Sequence, residues 1–303
     1  MATIAINGFG RIGRACARLI LASQTHRLIA VNDLADRQTQ TYLLERDSVH
    51  KRFNADLSDL RFSSAANPKA CDFGGADVVF DCTGVFTKYD ELKPYLDQGA
   101  KRVVISTPSA DSAVALAPPL SAPAAEIVSA GSCTANALYL ISKVLNENFG
   151  VKAVLGTSIH SYTSDQRLLD GRNDERRRSR ASAINIIPVV TSAAKNLIRY
   201  DAFYQDKAAA IGLRIPAPNA SMMQATFLLK NAASAEAINA AFTRSRNAAL
   251  AVVSDSKVST DIIGFKESAI VDTSLTLCLR ELACVCAWHD NEIGFAARML
   301  EFA

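Results

Sequence analysis

The stretch TIAINGFGRIGRACARLILA, residues 3–22, decides the fold. Thr3 to Asn7 is a short apolar strand, Gly8, Gly10 and Gly13 make a tight turn, and Arg14 to Ala22 carries helical periodicity. A second strand, Leu28 to Asn32, ends in Asp33, which lies 33 − 13 = 20 residues beyond the last glycine. Strand, glycine turn, helix, strand and acid at these offsets form a βαβ crossover of the kind that binds a dinucleotide. In such a unit Gly8 permits the turn, Gly10 lets backbone approach a pyrophosphate, and Gly13 allows close helix packing, while the helix amino terminus offers N–H groups to the phosphates. Asp33 is then expected to accept hydrogen bonds from a ribose diol.

Outward from this unit, apolar strands follow at Ala76 to Asp81, Arg102 to Ser106 and Glu126 to Ser129, with a helix over Tyr89 to Gln98. The pattern predicts an α/β fold with a Rossmann-type doubly wound parallel sheet. Cys82-Thr83-Gly84 follows a strand's carboxyl end, where such sheets put ligand loops, so Thr83 reads either as a cofactor contact or as a plain strand-end turn. Ala113 to Ala125, with Pro118, Pro119 and Pro123, reads as surface loop.

The next segment carries the chemistry. Ser129-Ala-Gly-Ser132-Cys133-Thr134 leaves a strand and enters a helix whose apolar residues Ala137, Ile141, Val144 and Leu145 recur at helical spacing. A cysteine at a helix amino terminus is favoured as thiolate, so the Cys133 pKa is expected to fall, and the nearby N–H groups can stabilise an oxyanion. Among the four histidines, His160 ends the apolar strand Ala153 to Ile159 directly after that helix, which makes it the candidate base. Cys16, Cys278, Cys284 and Cys286 read as structural core cysteines.

Composition narrows the function classes. With 303 residues the chain is long enough for two domains. A net charge of +3 gives no field of the kind that draws a protein to nucleic acid or anionic lipid, so anion binding must be local. No apolar run approaches the roughly 20 residues of a membrane span. The opening MATIAING also lacks the basic and apolar regions of a signal peptide, so a cytoplasmic protein is expected. Seven cysteines, odd in number and without CxxC pairing, argue against a disulfide framework and against a metal site.

INGFGRIGR at the start, DCTGVFT at 81–87, SCTAN at 132–136, HSYTSDQRLLDG at 160–171 and WHDNEIGFAARM at 288–299 resemble the phosphorylating glyceraldehyde-3-phosphate dehydrogenases, in order and over almost the full chain. The resemblance implies a homotetramer with an NAD(P)-binding domain over 1–132, completed by 290–303, and an α+β catalytic domain over 133–289 with a mainly antiparallel sheet. It implies oxidation of glyceraldehyde 3-phosphate to 1,3-bisphosphoglycerate through a thiohemiacetal and an acyl thioester, the family's glycolytic reaction. On it Cys133 matches the nucleophile and His160 the base. Ser132, Thr134 and Thr191, followed by Ser192, match the site for inorganic phosphate; Thr163 and Arg214 match the site for the substrate's own phosphate. Arg11 and Ile12 join Gly8, Gly10, Gly13, Asp33 and Thr83 as cofactor contacts, and Asn291 matches the residue that fixes the nicotinamide amide. Arg178, in the basic run Arg176 to Arg180, is expected near the bound phosphates, with its neighbouring arginines open for the same role.

The sequence also departs from the family pattern. Ile293 and Phe295 replace the Trp and Tyr of DNEWGY, Ala135 and Ala137 alter the SCTTNC core, and Ser192 replaces a glycine. Lys51 replaces the glycine of the SVHGRF-like motif, the segment before DCTG is short, and the last helix stops at Ala303. These changes point to a divergent paralogue rather than the main glycolytic enzyme. Asp33 favours NAD, whereas Gly171-Arg172, in place of the Leu-Pro pair of NAD-selective members, keeps NADP open. Three other readings stay in view. One is a dehydrogenase of a related phosphorylated aldehyde such as erythrose 4-phosphate, which Leu34-Ala35-Asp36 resembles and Tyr162-Thr163 opposes. Another is a nucleotide-binding regulatory protein without turnover, and the last a nucleic-acid binder through the arginine-rich loop.

Overall fold

Short runs that are apolar at nearly every position make strands covered on both faces, and nine strands arise this way or by edge pairing in the first part of the chain. The computed structural model describes residues 1–23 and 25–303. Its early strands are β1 (Thr3–Asn7), β2 (Arg27–Asn32), the paired dipeptides β3 (Arg46–Asp47) and β4 (Lys51–Arg52), β5 (Arg61–Ser63), β6 (Val78–Asp81), β7 (Arg102–Ile105), β8 (Ala115–Leu116) and β9 (Ile127–Ser129). Three helices alternate with them, α1 (Arg11–Ala22), α2 (Arg37–Glu45) and α3 (Tyr89–Asp97). Seven strands form one parallel sheet in the order β5-β2-β1-β6-β7-β9-β8. The order reverses between β1 and β6, and at that switch point such sheets bind ligands. This is the expected doubly wound arrangement.

One expectation fails here. The stretch 113–125 is not all surface loop, because Ala115 and Leu116 pair with β9 while Val114 and Ala117 are buried. Backbone pairing at a sheet edge needs no strong β-formers, so alanine-rich composition concealed the strand.

Beneath the switch point a buried polar network ties four elements together. Asn32 Nδ2 donates to Asn7 Oδ1 at 2.8 Å, Asn7 Nδ2 donates to Asp81 Oδ2 at 3.1 Å, and Tyr95 Oη donates to the same Asp81 oxygen at 2.8 Å. Burial pushes the Asp81 carboxyl up despite the hydrogen bonds it accepts.

The second part of the chain begins with α4 (Cys133–Phe149) and continues through β10 (Val151–Ser161), β11 (Ile187–Val190), α5 (Ala193–Tyr200), β12 (Ala208–Ile215) and β13 (Ser221–Leu229). It closes with α6 (Ala235–Arg244), β14 (Leu250–Val253), α7 (Ser259–Ile262), β15 (Ala269–Asp272), β16 (Leu277–Leu279), β17 (Leu282–His289) and α8 (Ile293–Leu300). The sheet order is β11-β12-β10-β13-β17-β15-β14, with β16 added to β17. Only β10 with β12 and β14 with β15 run parallel, so the sheet is mainly antiparallel, as expected. Leu138, Ile141 and Leu145 of α4, Leu197 of α5 and Phe242 of α6 share a core with Val154, Met223, Phe227 and Val285 of the strands.

Helix α6 ends at Arg244, although the apolar residues Ala248 and Ala249 follow. Asn247 causes the break: its side-chain oxygen accepts from Ala249 N and Leu250 N, closing a turn that launches β14. The chain divides into two units, Met1–Ser132 with Phe295–Ala303, and Cys133–Gly294.

Replacing Tyr95 by Phe keeps the ring but removes a buried donor to Asp81. Urea unfolding of Tyr95→Phe is expected to show a loss of about 1–3 kcal/mol with an unchanged m-value.

Candidate active site

In the first unit the glycine turn is shaped by its own backbone. Gly8 has φ +85, and a Cβ there would stand 2.7 Å from Thr83 N. A Cβ on Gly13 would collide with the Gly8 carbonyl oxygen, so both positions require glycine for steric reasons. At Gly10 a Cβ would meet nothing within 4 Å, and no side chain caps α1. The amino terminus of α1 thus opens on a backbone-walled space that fits a pyrophosphate.

Asp33 braces this loop, accepting from Phe9 N at 2.6 Å through Oδ2 and from Ala35 N at 2.9 Å through Oδ1. Each oxygen keeps a lone pair for a ribose hydroxyl. Arg11 is ion-paired with Asp47. Ile12 lies beside it in the first turn of α1 with a half-buried side chain. The Thr83 hydroxyl is already engaged, donating to Asp81 Oδ1 at 2.6 Å and accepting from Val85 N at 3.1 Å.

In the second unit Cys133 is the first residue of α4, directly after Ser132, and His160 lies near the end of β10. His160 Nε2 is 3.5 Å from Cys133 Sγ, so the two residues meet as a thiol–imidazole pair. Parallel pairing of β10 with β12 puts Arg214 directly beside His160 in register. Its Nη1 lies 2.5 Å from His160 Nδ1 and donates to the Ser161 carbonyl at 3.0 Å.

The electrostatics differ from the sequence expectation at one point. Burial raises the Cys133 thiol above its ordinary range, outweighing the Thr134 hydrogen bond and the Arg214 charge that pull it down. The helix terminus therefore does not by itself make a thiolate here. Burial, followed by the Arg214 charge, holds the His160 imidazolium well below its usual range.

Around Arg214 lies a polar cluster that includes Asp165 and Arg178. The hydroxyl of Thr163 hydrogen-bonds Asp165 and, at 3.0 Å, Gln166 Oε1. Arg178 ion-pairs with Asp165, and its Nε donates to Glu175 at 2.7 Å. Burial pushes the Asp165 carboxyl up, but the Thr163 bond and the charges of Arg178 and Arg214 hold it below its ordinary range. Within the basic run Arg178 is the partly buried arginine facing this cluster, while Arg176, Arg177 and Arg180 are exposed.

Thr134 is buried in the first turn of α4. Thr191 follows β11, and its Oγ1 accepts from Ala193 N at 3.2 Å at the start of α5. Ser192 is the exposed residue before α5 with φ −84, a backbone conformation that does not need the family's glycine.

Asn291 has its orientation set by two residues that the sequence reading missed. Ser161 Oγ and Ser221 Oγ donate to Asn291 Oδ1 at 2.9 and 3.0 Å, which fixes the oxygen end of the amide and leaves the NH2 as its donor end. A serine following His160, and another at the start of the neighbouring strand, were the available signals. His289 was also missed: it stacks edge to face on His160 with ring centroids 6.3 Å apart, and both its nitrogens are buried without a partner. Burial lowers its pKa to about 4.

Two outcomes follow from this geometry. Gly10→Ala is expected to leave thermal stability within about 0.5 kcal/mol of the parent, while NADH fluorescence titration shows dinucleotide affinity reduced about tenfold or more. Iodoacetamide labelling of ligand-free Cys133 is expected to rise about tenfold per pH unit from pH 6 to 9. A rate plateau below neutrality would instead reveal a preformed thiolate–imidazolium pair.

Comparison with known proteins agrees with the five sequence motifs. Residues 2–89 match the family model "Glyceraldehyde 3-phosphate dehydrogenase, NAD binding domain", and residues 132–291 match "Glyceraldehyde 3-phosphate dehydrogenase, C-terminal domain". The glyceraldehyde-3-phosphate dehydrogenase of Mycobacterium avium is 37% identical over 98% of this chain and 96% of its own length. That of Clostridium pasteurianum is 33% identical over 99% of the chain and 97% of its own length. Glyceraldehyde-3-phosphate dehydrogenase 1 of Bacillus subtilis is 33% identical over 99% and 96%. With both halves matched and relatives aligned end to end, this chain belongs to the glyceraldehyde-3-phosphate dehydrogenase family.

Proposed function

We propose that the protein is a phosphorylating dehydrogenase that converts glyceraldehyde 3-phosphate to 1,3-bisphosphoglycerate with NAD(P). The observation that carries this reading is Cys133 Sγ held 3.5 Å from His160 Nε2 with Arg214 alongside, next to the Thr163–Asp165–Arg178 cluster. Thiol, base and dianion ligands in one unit suit a small aldehyde that carries a phosphate.

In this reading Cys133 sulfur attacks the aldehyde carbon while its proton passes to His160 Nε2 and from there to the aldehyde oxygen, giving a thiohemiacetal and a neutral His160. His160 then takes the hydroxyl proton as the carbon is oxidised to the thioester. When bound, the nicotinamide supplies the hydride acceptor for that oxidation. The amide NH2 of Asn291, fixed by Ser161 and Ser221, is the donor proposed to hold the carboxamide. Thr163, Arg178 and Arg214 hold the substrate phosphate. Ser132, Thr134, Thr191 and Ser192 receive the inorganic phosphate, whose oxygen bonds to the acyl carbon as the C–S bond breaks and Cys133 thiolate leaves.

For the cofactor, Gly8, Gly10, Arg11, Ile12, Gly13, Asp33 and Thr83 form the proposed dinucleotide site. Thr83 would act through its backbone, since its hydroxyl is engaged. The Asp33 carboxylate favours the free ribose hydroxyls of NAD over a 2′-phosphate, with use of both cofactors as the alternative. A homotetramer in the cytoplasm is the assembly and location the family suggests.

The test is NADH formation from glyceraldehyde 3-phosphate with and without inorganic phosphate. Multiple turnovers are expected only when phosphate is present, and Cys133→Ser should lower kcat by at least about 10³-fold while keeping NADH binding. A single burst of one NADH per site, with phosphate making no difference, would sink the phosphorylating step.

A further inference from the structure

The side chains proposed to hold the substrate phosphate share one internal anion, the carboxylate of Asp165. The Thr163 hydroxyl donates to Asp165 Oδ1, and Arg178 Nη1 donates to Asp165 Oδ2. The charge of Arg214 acts on the same carboxylate. These roles follow from chemistry alone, since a guanidinium only donates and an ionised carboxylate only accepts. Both Asp165 oxygens are therefore engaged by groups that a phosphate would need. Glu175 takes another edge of Arg178, accepting from its Nε at 2.7 Å. Two guanidinium charges, on Arg178 and Arg214, stand against two carboxylate charges, on Asp165 and Glu175.

The turn that presents Asp165 is closed at both ends. Gln166 N donates to the Thr163 carbonyl at 3.0 Å, and Gln166 Oε1 accepts from Thr163 N at 2.8 Å. The backbone of Thr163 thus stays fixed while its hydroxyl has two acceptors to choose from, Asp165 and, at 3.0 Å, Gln166 Oε1. The Asp165 side chain is half exposed, so rotation carries its carboxylate into water. A phosphate monoester has three acceptor oxygens and up to two charges, against the two oxygens and single charge of Asp165. It is the stronger ligand for the same donors.

We propose that Asp165 is a resident competitor for the substrate phosphate: its carboxylate holds Thr163 and Arg178 until the phosphate displaces it, and so sets the affinity of the site downward. This rests on the assignment of Thr163, Arg178 and Arg214 as ligands of the substrate phosphate. The carboxylate returns to the same donors as a phosphorylated product leaves, which keeps that product exchangeable. Because the competition acts on ground state and transition state alike, it raises KM and leaves the chemical step alone. A brace that merely orients Thr163 and Arg178 would have the opposite sign, since its loss would weaken phosphate binding.

The test is calorimetric titration of the full chain at pH 8 with glycerol 3-phosphate, a phosphate monoester without an aldehyde, and with glycerol as the control. Asp165→Asn keeps the shape of the side chain and removes its charge. It is expected to bind glycerol 3-phosphate at least about tenfold more tightly than the parent, with NADH binding retained as the sign of a folded chain. Asp165→Ser should show the same tightening, so a folding failure of one variant leaves the other to decide. Arg214→Met should abolish binding in both backgrounds, which locates the signal at this cluster. In turnover, Asp165→Asn should lower KM for glyceraldehyde 3-phosphate without raising kcat. Equal or weaker binding of glycerol 3-phosphate by the folded variants overturns the competitor and leaves the phosphate site standing. No binding by parent or variants, or binding that survives Arg214→Met, overturns the phosphate assignment as well.

Discussion

Desolvation of the Cys133–His160 pair is the constraint on which the chemistry of this protein depends. Taking both groups out of water favours the uncharged form of each, raising the thiol and lowering the imidazole. Burial thus works against the thiolate and the imidazolium alike, and the Thr134 hydrogen bond and the Arg214 charge pull the thiol the other way. On the imidazole Arg214 acts together with burial, because a fixed guanidinium beside the ring opposes a second positive charge. Two strands in parallel register bring these groups together, and α4 delivers the thiol to them.

The first unit solves a different problem, that of holding a charged, extended ligand with few charged side chains. Its answer is backbone: a turn in which two glycines are demanded by their own neighbours and a third is left open. Asp33, often read only as a ribose ligand, also holds the turn through Phe9 N. Below it, Asn7, Asn32, Asp81 and Tyr95 satisfy one another where three strands end, which lets polar groups sit in an otherwise apolar sheet.

Departures from the family pattern are accommodated locally. Ser192 adopts an ordinary φ, so the backbone before α5 forms without glycine. Ile293 and Phe295 are both buried, and they contribute apolar packing where the family carries larger aromatics. His289 is of another kind: an imidazole whose two nitrogens are buried without a side-chain partner, edge to face with His160, its pKa lowered by burial to about 4.

Much of this was legible in the residues. The period of the apolar positions and the glycine spacing predicted the parallel sheet and its first crossover, because tight turns and helix packing restrict those positions to glycine whatever surrounds them. Cys133 and His160 could be paired from sequence because each ends or begins a strongly patterned element. Elsewhere the chain's own signals were too weak. Alanine-rich β8 forms through edge pairing, and α6 stops where Asn247 folds back on the backbone. Only the tertiary structure decided the direction in which burial shifts the thiol, which arginine of the run is partly buried and the contact of Arg214 with His160. These depend on burial and on register between strands distant in sequence, which no local pattern encodes.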